Sequence, residues 1–389
     1  MNIAVLLESN YSGGGSFSHS INTCLDLIRY IGKNNNIVVY TSYKKNFEIL
    51  NDQKIPVVFF SYTLLDKILI KFSKIKIFRI FFFNYQITLE NKLLNNNIEI
   101  LYFPVLSDVV FSLKKIRFIS NLLDLCHFQH SIFPEISKKD FLYRQNLYFY
   151  SLKKSLLVIT SCKSLKKKIS KYYNILLNKI IIIPYTPCYL FNENDNNKKF
   201  FFNLEKYRFL KNFFFYPAQI WGHKNHIVIL EAAKILKKRG YNVNFVFSGR
   251  DRGYKQVLDN FIANNKLNNI YFTGYLTFQE MDYFYKKCKG IIFTSVFGPN
   301  AIPPLEAWTY KKPLIYNNRM EDDVSKNNAL LVNVNSPLEV SNSIIKILKN
   351  KYKKNLIRNG SKKLKLIKNV NKKCYFEFEK KLNKFFIKN

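Results

Sequence analysis

The stretch Phe213-Phe-Phe-Tyr-Pro-Ala-Gln-Ile-Trp-Gly-His-Lys-Asn-His226 decides how this chain folds. Phe213–Tyr216 reads as a short apolar strand, closed by a loop holding Pro217 and Gly222. A periodic apolar segment from His226 to Arg239 then reads as a helix. The same alternation continues. Asn244–Ser248 is a strand, Gln256–Asn265 a helix, Ile270–Thr273 a strand and Gln279–Lys287 a helix. Gly290–Thr294, Lys312–Tyr316 and Leu330–Val334 are strands, and Pro337–Lys349 is a helix. Strand–helix alternation predicts a parallel sheet covered on both faces, with ligands at the carboxyl ends of its strands.

The N-terminal half repeats the logic. Ile3–Leu7 is apolar, Ser12-Gly-Gly-Gly-Ser16 follows, and an amphipathic segment runs from about Phe17 to Ile31 before a strand at Ile37–Tyr40. Further strands are expected at Val57–Phe60, Ile98–Phe103, Arg117–Leu123, Leu156–Thr160 and Ile180–Ile183. The polar run Asn192–Lys199 lies just after Pro184 and Pro187 and reads as a linker. The expected organisation is α/β throughout, as two doubly wound units in tandem. An N-terminal domain spans 1–190, a linker 191–210, a C-terminal domain 211–365 and a basic helix 366–389, which packs back on the N-terminal domain.

The chain has 389 residues, enough for two domains with their own cores. It is 48% hydrophobic and 16% aromatic, which excludes a disordered chain. Its formal net charge is +36, from 62 Lys+Arg against 26 Asp+Glu. Nucleic acid, an anionic membrane face or anionic small molecules would suit such a charge. Part of it is compositional, because Lys, Asn, Ile, Phe and Tyr crowd together as AT-rich codons would give. The basic residues are spread along the chain, without the single basic stripe of a nucleic-acid binder. Leu64–Phe83 interleaves Lys67, Lys71, Lys74, Lys76 and Arg79 with Ile, Leu and Phe. As a helix it would fit either an anionic bilayer or an ordinary core with a solvated Lys face.

Six cysteines occur without CxxC or metal-ligand spacing, as expected of buried small hydrophobes in a reducing compartment. The start reads as a buried strand and not as a signal peptide, and no uncharged apolar run approaches a spanning length. The expectation is a protein of the cytoplasm, peripheral on the inner face of the membrane.

Two blocks carry chemistry. In Tyr216–His226, Lys224 stands where a helix opens, so its charge adds to free backbone N–H groups, a combination suited to a diphosphate. The second block is Phe297-Gly-Pro-Asn-Ala-Ile-Pro-Pro-Leu-Glu-Ala-Trp308, again after an apolar strand. Pro303 or Pro304 would start a helix there, leaving N–H groups to face an anion and placing Glu306 in the first turn.

Those two blocks, with Phe247-Ser-Gly249 between them and Lys312-Pro-Leu-Ile-Tyr316 after, resemble the C-terminal domain of family-four retaining glycosyltransferases over about Phe213–Lys349. The similarity is strongest to the bacterial surface-polysaccharide branch (O-antigen and capsule), with its FGPTNIPPLEAW-like loop. The resemblance implies a GT-B fold, two Rossmann-like domains facing a central cleft. It implies a nucleotide-sugar donor as substrate, retention at the anomeric carbon, and neither cofactor nor metal. A lipid-linked saccharide is the expected acceptor, since the positive charge and Leu64–Phe83 suit an anionic inner leaflet, and the expected sugar is a hexose such as mannose. Nucleic acid is not expected as a partner.

By resemblance, Lys224 is the donor-diphosphate lysine and Glu306 the ribose-binding glutamate. Pro299, Asn300, Ala301 and Ile302 supply backbone contacts to sugar and phosphate, while Gly249 and Arg250 lie where the nucleotide passes. Gly14 and Gly15 belong to the glycine-rich loop that lets backbone approach donor or acceptor. Leu123-Asp-Leu-Cys-His-Phe-Gln-His-Ser-Ile-Phe-Pro-Glu135 resembles the family's His-Asp-Leu-x-His…Phe-Pro-Glu block. Asp124 and His127 thereby become candidates for orienting acceptor or sugar, with His130 nearby and Arg144 holding the block. Five positions depart from the pattern. The first family glutamate is replaced by Gly298 or Ser295, the donor arginine by Gln219, Thr-Asn by Asn300-Ala301, and the block's first histidine by Leu123. These departures define one alternative, a catalytically impaired GT-B protein acting as an assembly partner. A basic nucleic-acid-binding protein is the other.

Overall fold

The structure is a computed structural model. It describes all residues except 12, 83, 130–132, 134–136, 189–206, 208–209, 299–300, 319–323, 351–352 and 387–389. The expected linker therefore lies almost wholly outside the described residues. The chain divides into two compact units, Met1–Ser131 with Ile136–Tyr185 and Asn369–Asn389, and Ile132–Glu135 with Thr186–Lys368.

In the first unit the elements are β1 (Asn2–Leu6), α1 (Gly15–Ile31), β2 (Asn36–Thr41), α2 (Lys44–Asp52), β3 (Val57–Phe59), α3 (Leu64–Ser73), α4 (Lys76–Phe81), α5 (Thr88–Asn95), β4 (Ile100–Phe103), β5 (Arg117–Asn121), α6 (Cys126–Gln129), α7 (Lys138–Lys154), β6 (Val158–Thr160), α8 (Lys163–Tyr173) and β7 (Ile180–Ile182). Its sheet is parallel, in the order β3-β2-β1-β4-β5-β6-β7. β1 and β4 are buried along nearly their whole length, as central strands of a covered parallel sheet must be.

The expected single helix over Leu64–Phe83 is two. α3 begins with a capping box, in which Thr63 and Asp66 satisfy each other's backbone N–H groups. It stops at Ser73 because Arg79 Nη1 donates to the Ser73 carbonyl at 2.9 Å, taking up a group that a continuing helix would have used. α4 then starts at Lys76 in a new direction set by Ile75, which is extended.

The second unit runs β8 (Phe213–Pro217), α9 (His226–Lys238), β9 (Asn244–Ser248), α10 (Lys255–Asn264), β10 (Ile270–Gly274), α11 (Phe278–Lys287), β11 (Gly290–Phe293), α12 (Ile302–Thr309), β12 (Leu314–Asn317), β13 (Leu330–Val332) and α13 (Pro337–Leu348). Its parallel sheet has the order β10-β9-β8-β11-β12-β13. That is the doubly wound order of a dinucleotide-binding sheet. Phe213, Phe214, Phe215 and Tyr216 are all buried, so the quoted stretch is the centre of this core.

The final helix, α14 (Lys353–Asn383), contributes to both cores. In the second unit Gly360 lies against the Trp308 ring so closely that a Cβ would overlap it. In the first, Tyr375 stacks on Tyr30 at 5.1 Å, and Glu379 accepts from Asn35 Nδ2 at 2.7 Å. Gly360→Ala should lower stability by about 1–2 kcal/mol. Overpacking against a rigid, buried ring costs more than the roughly 1 kcal/mol that alanine gains in helix propensity. A urea midpoint at or above that of the wild type would refute this contact.

Candidate functional site

In the second sheet the winding reverses between β8 and β11, which lie side by side. Their following loops therefore leave in opposite directions and open a crevice at the strands' carboxyl ends. Those loops are the two blocks singled out from the sequence, about seventy residues apart in the chain, and hydrogen bonds join them. Val296 N–H donates to the His223 carbonyl at 2.8 Å. Thr294 Oγ1 donates to the carbonyls of Lys224 and Asn225 at 3.3 and 3.1 Å. The His223 and Phe297 rings stack 4.1 Å apart, 13° from parallel. Each neutral bond is worth about 1 kcal/mol and the ring pair a similar amount, so the loops hold one another in place.

Lys224 sits at the end of a single 3₁₀ turn, Gly222–Lys224. Asn225 follows with φ +53°, a left-handed conformation that asparagine tolerates, and it turns the chain into α9. Asn225 Nδ2 anchors that turn on the Val334 carbonyl at 2.9 Å, and Tyr216 Oη donates to the Lys224 carbonyl at 2.8 Å. From this fixed backbone the Lys224 Nζ donates to Ser295 Oγ at 3.3 Å, and it lies 5.5 Å from the centre of the Phe293 ring. Ser295 Oγ in turn donates to the Phe297 carbonyl at 2.9 Å. The lysine thus projects from one loop toward the other across the switch point. His226 opens α9 fully buried, its ring 4.7 Å from Tyr216 and 5.1 Å from Phe247. Burial and the neighbouring Lys224 push its pKa down to about 3, so it is neutral packing and adds no charge to the site.

The neighbouring strand end brings Gln219, Gly249 and Arg250 to the same edge. Ala218 N–H donates to the Ser248 carbonyl at 2.9 Å, and Gly249 N–H to that of Gly274 at 2.8 Å. Gly249 has φ +138°, and a Cβ there would lie 2.5 Å from the Ala218 oxygen. Only glycine permits this approach of the β9 end to the loop after β8. Gln219 Oε1 accepts from Arg252 Nε at 2.7 Å and from Trp221 Nε1 at 3.2 Å. Arg250 is exposed, with its guanidinium 5.5 Å from the Tyr275 ring centre.

The second block differs from expectation in its helix. α12 begins at Ile302, with Ala301 as its extended N-cap. Pro303 and Pro304 fall inside the first turn and carry no N–H, so Ile302 is the helical donor left there. Glu306 then lies beyond the first turn. Its side chain is buried and accepts a hydrogen bond from Tyr285 Oη, a partner nothing in the local sequence signals. Burial pushes the Glu306 carboxyl up to about 7 from 4.5. A carboxyl that holds its proton more tightly when folded loses stability as pH rises through that interval. The full interval corresponds to roughly 3 kcal/mol. Wild type should therefore fall relative to Glu306→Gln between about pH 4.5 and 7 and stay lower above it. Parallel urea curves at every pH would contradict this.

In the first unit, Gly14 has φ +65° and caps α1, and Gly13 packs against the Asn10 carbonyl, whereas a Cβ on Gly15 would meet open space. Asp124 accepts from Cys126 N–H at 3.0 Å and faces Arg144 Nη1 at 3.6 Å. His127 is fully buried among Phe128, Phe141 and Tyr148, with Nε2 3.1 Å from Gln145 Nε2. Burial and then Arg144 push its pKa down to about 4. The ring packs in the core as a neutral group. His19, which no motif signalled, lies instead at the carboxyl end of the sheet, with Nε2 2.7 Å from Asn121 Nδ2 and its ring 4.9 Å from that of Tyr185. Pro299, Asn300 and His130 lie outside the described residues. Among the described residues no cluster of His, Cys, Asp or Glu could hold a metal ion, and none of the six cysteines is in a disulfide.

Residues 198–363 match the family described as "Glycosyl transferases group 1". The chain is 26% identical over 211 residues to the O-antigen chain mannosyltransferase RfbU of Salmonella typhimurium, covering 52% of this chain and 55% of that protein. It spans about half the length of the curated relatives it matches. Among solved structures it is similar to a glycosyltransferase from Rickettsia africae, with a TM-score of 0.68 and 16% identity over 100% and 99% of the two chains. It is also similar to HepE of Anabaena in complex with UDP-glucose, with a TM-score of 0.69 and 16% identity over 98% and 100%. The fold of the two Rossmann-like units is GT-B.

Proposed function

We propose that the chain is a retaining, metal-independent hexosyltransferase of bacterial surface-polysaccharide synthesis, moving a sugar such as mannose from a nucleotide-sugar donor to a lipid-linked saccharide. The observation that carries this reading is the junction of the two loops at the second sheet's switch point, with Lys224 Nζ reaching Ser295 Oγ at 3.3 Å. A leaving nucleoside diphosphate takes up negative charge as its bond to the anomeric carbon breaks. Lys224 and the free N–H of Ile302 are placed to meet that charge, and no cofactor is needed. The acceptor oxygen bonds to the same face of the anomeric carbon, and its proton passes to the departing phosphate oxygen. Gly249, Arg250 and Gln219 border the nucleotide, Tyr285 holds Glu306 for the ribose, and Pro299, Asn300 and Ala301 line the sugar. Gly14, Gly15 and Asp124 serve the acceptor side. The similarity to RfbU supports the mannose and O-antigen elements, and the complex of HepE with UDP-glucose supports a nucleotide-sugar donor. An assembly partner without catalysis, or a nucleic-acid binder, is not favoured by the match over 198–363.

A thermal-shift panel of UDP-, GDP- and ADP-sugars tests it. A donor at a hundred times its Kd stabilises by about 2.7 kcal/mol, or roughly 5–10 °C for a unit of this size. A flat response to every donor at millimolar concentration would end this reading.

A further inference from the structure

α3 and α4 form the most apolar exposed surface of the described residues. On α3, Leu64, Leu65, Ile68 and Phe72 face solvent, Leu64 with 76% of its surface free. Leu64, Ile68 and Phe72 recur at every fourth residue and so make one stripe. The opposite side is also committed, because Asp66, Leu69 and Ser73 are buried. Around α4, Ile75, Ile77, Ile80 and Phe81 are exposed, Phe81 to 73%. No other stretch of this length among the described residues exposes as many large apolar side chains. A soluble surface does not ordinarily carry such a patch uncovered.

The charges around it have one sign. Lys67, Lys71 and Lys76 are exposed, and among the described residues none is paired with an acid. Asp66 is the sole acid between Leu64 and Phe83, and it is turned inward. Its two oxygens accept from the N–H groups of Thr63 and Thr88 at 2.8 and 2.9 Å. The other cations of the segment are held in place. Lys74 pairs with Asp108, and Arg79 stacks 4.6 Å from the Tyr150 ring centre. The outer face is thus apolar and cationic with no anion.

We infer that the α3–α4 face is a docking surface for an anionic lipid bilayer, its apolar stripe entering the acyl boundary and Lys67, Lys71 and Lys76 meeting the headgroups. Lysine suits that border, since its stem lies along apolar surface while its ammonium stays in water. A second copy of the chain fits poorly, because a two-fold contact would press these unpaired lysines against one another. The inference gives a place to the membrane encounter expected of a lipid-linked acceptor, yet it requires no sugar transfer.

Co-sedimentation of the full chain with vesicles tests it. Binding should appear with about one-quarter phosphatidylglycerol in phosphatidylcholine, be weak on phosphatidylcholine alone, and vanish near 1 M NaCl, where screening acts within about 3 Å. Each lysine is worth about a fivefold step, so Lys67→Gln/Lys71→Gln/Lys76→Gln should weaken binding about a hundredfold. Ile68→Ser/Ile80→Ser/Phe81→Ser should abolish it at equal charge. Both triple variants alter exposed side chains, so their melting temperatures and donor-induced thermal shifts should match wild type. Those shifts report the sugar-transfer reading separately. Failure of the wild type to bind, binding unchanged in either variant, or a wild-type dimer dissolved by the apolar variant would each overturn the assignment.

Discussion

Lys224→Ala is expected to lower sugar transfer by about 10²–10³-fold, the loss typical of removing one group that stabilises developing negative charge. That corresponds to about 2.7–4 kcal/mol of transition-state stabilisation. The substitution isolates the charge, because the structural duties of this position belong to its backbone. The Lys224 carbonyl accepts from Tyr216 Oη at 2.8 Å and from Thr294 Oγ1 at 3.3 Å, and alanine keeps both. The side chain's ammonium donates to Ser295 Oγ at 3.3 Å, a contact that alanine removes together with the charge. The fold should therefore survive with nearly wild-type thermal stability. The loss should fall mainly on kcat if Lys224 acts on the leaving group, and mainly on KM if it only tethers the donor. Wild-type turnover of a donor shown to bind would remove Lys224 from the proposed chemistry.

Gly249→Ala should destabilise the second unit by about 3–5 kcal/mol, lowering its melting temperature by roughly 10 °C. Two costs combine. At φ +138° an L side chain is strained by about 1–3 kcal/mol. A Cβ there would also sit 2.5 Å from the Ala218 oxygen and 2.6 Å from the Gln219 Cα, both main-chain atoms. Neither can retreat without breaking the Ala218–Ser248 or Gly249–Gly274 hydrogen bond. Gly253 separates the two costs. Its φ is +92°, but an added Cβ would meet nothing within 4 Å, so Gly253→Ala should lose only the backbone share, roughly 1–2 kcal/mol. Equal losses at both glycines, measured by denaturant unfolding, would show that the close approach at Gly249 carries no weight.

The sheet-forming runs were legible in the sequence because burial in a parallel sheet demands continuous apolar residues. Phe213–Pro217 and Asn244–Ser248 lie where the pattern puts them, within a residue at each end. Helix ends were less legible because they depend on capping. The break after Ser73 follows from the reach of Arg79 to a carbonyl six residues earlier, which no hydropathy period encodes. The start of α12 at Ile302 moved Glu306 out of the first turn, where a count from the prolines had put it.

At the candidate site the sequence determined which segments matter. Lysine before an opening helix and a glycine–proline loop before the next one are local features, written in adjacent residues. Tertiary structure alone decided what those residues meet. Ser295 became the partner of Lys224 because β8 and β11, distant in the chain, are neighbours at the winding reversal. Glu306 met Tyr285 because two helices flanking β11 pack on one core. His127 shared a motif with Asp124 yet went into the interior, since packing among Phe128, Phe141 and Tyr148 fixes where a side chain points. Sequence pattern selects elements through local propensity and burial. The contacts that tune charge and access form between elements far apart in the chain, and only the closed fold sets their distances.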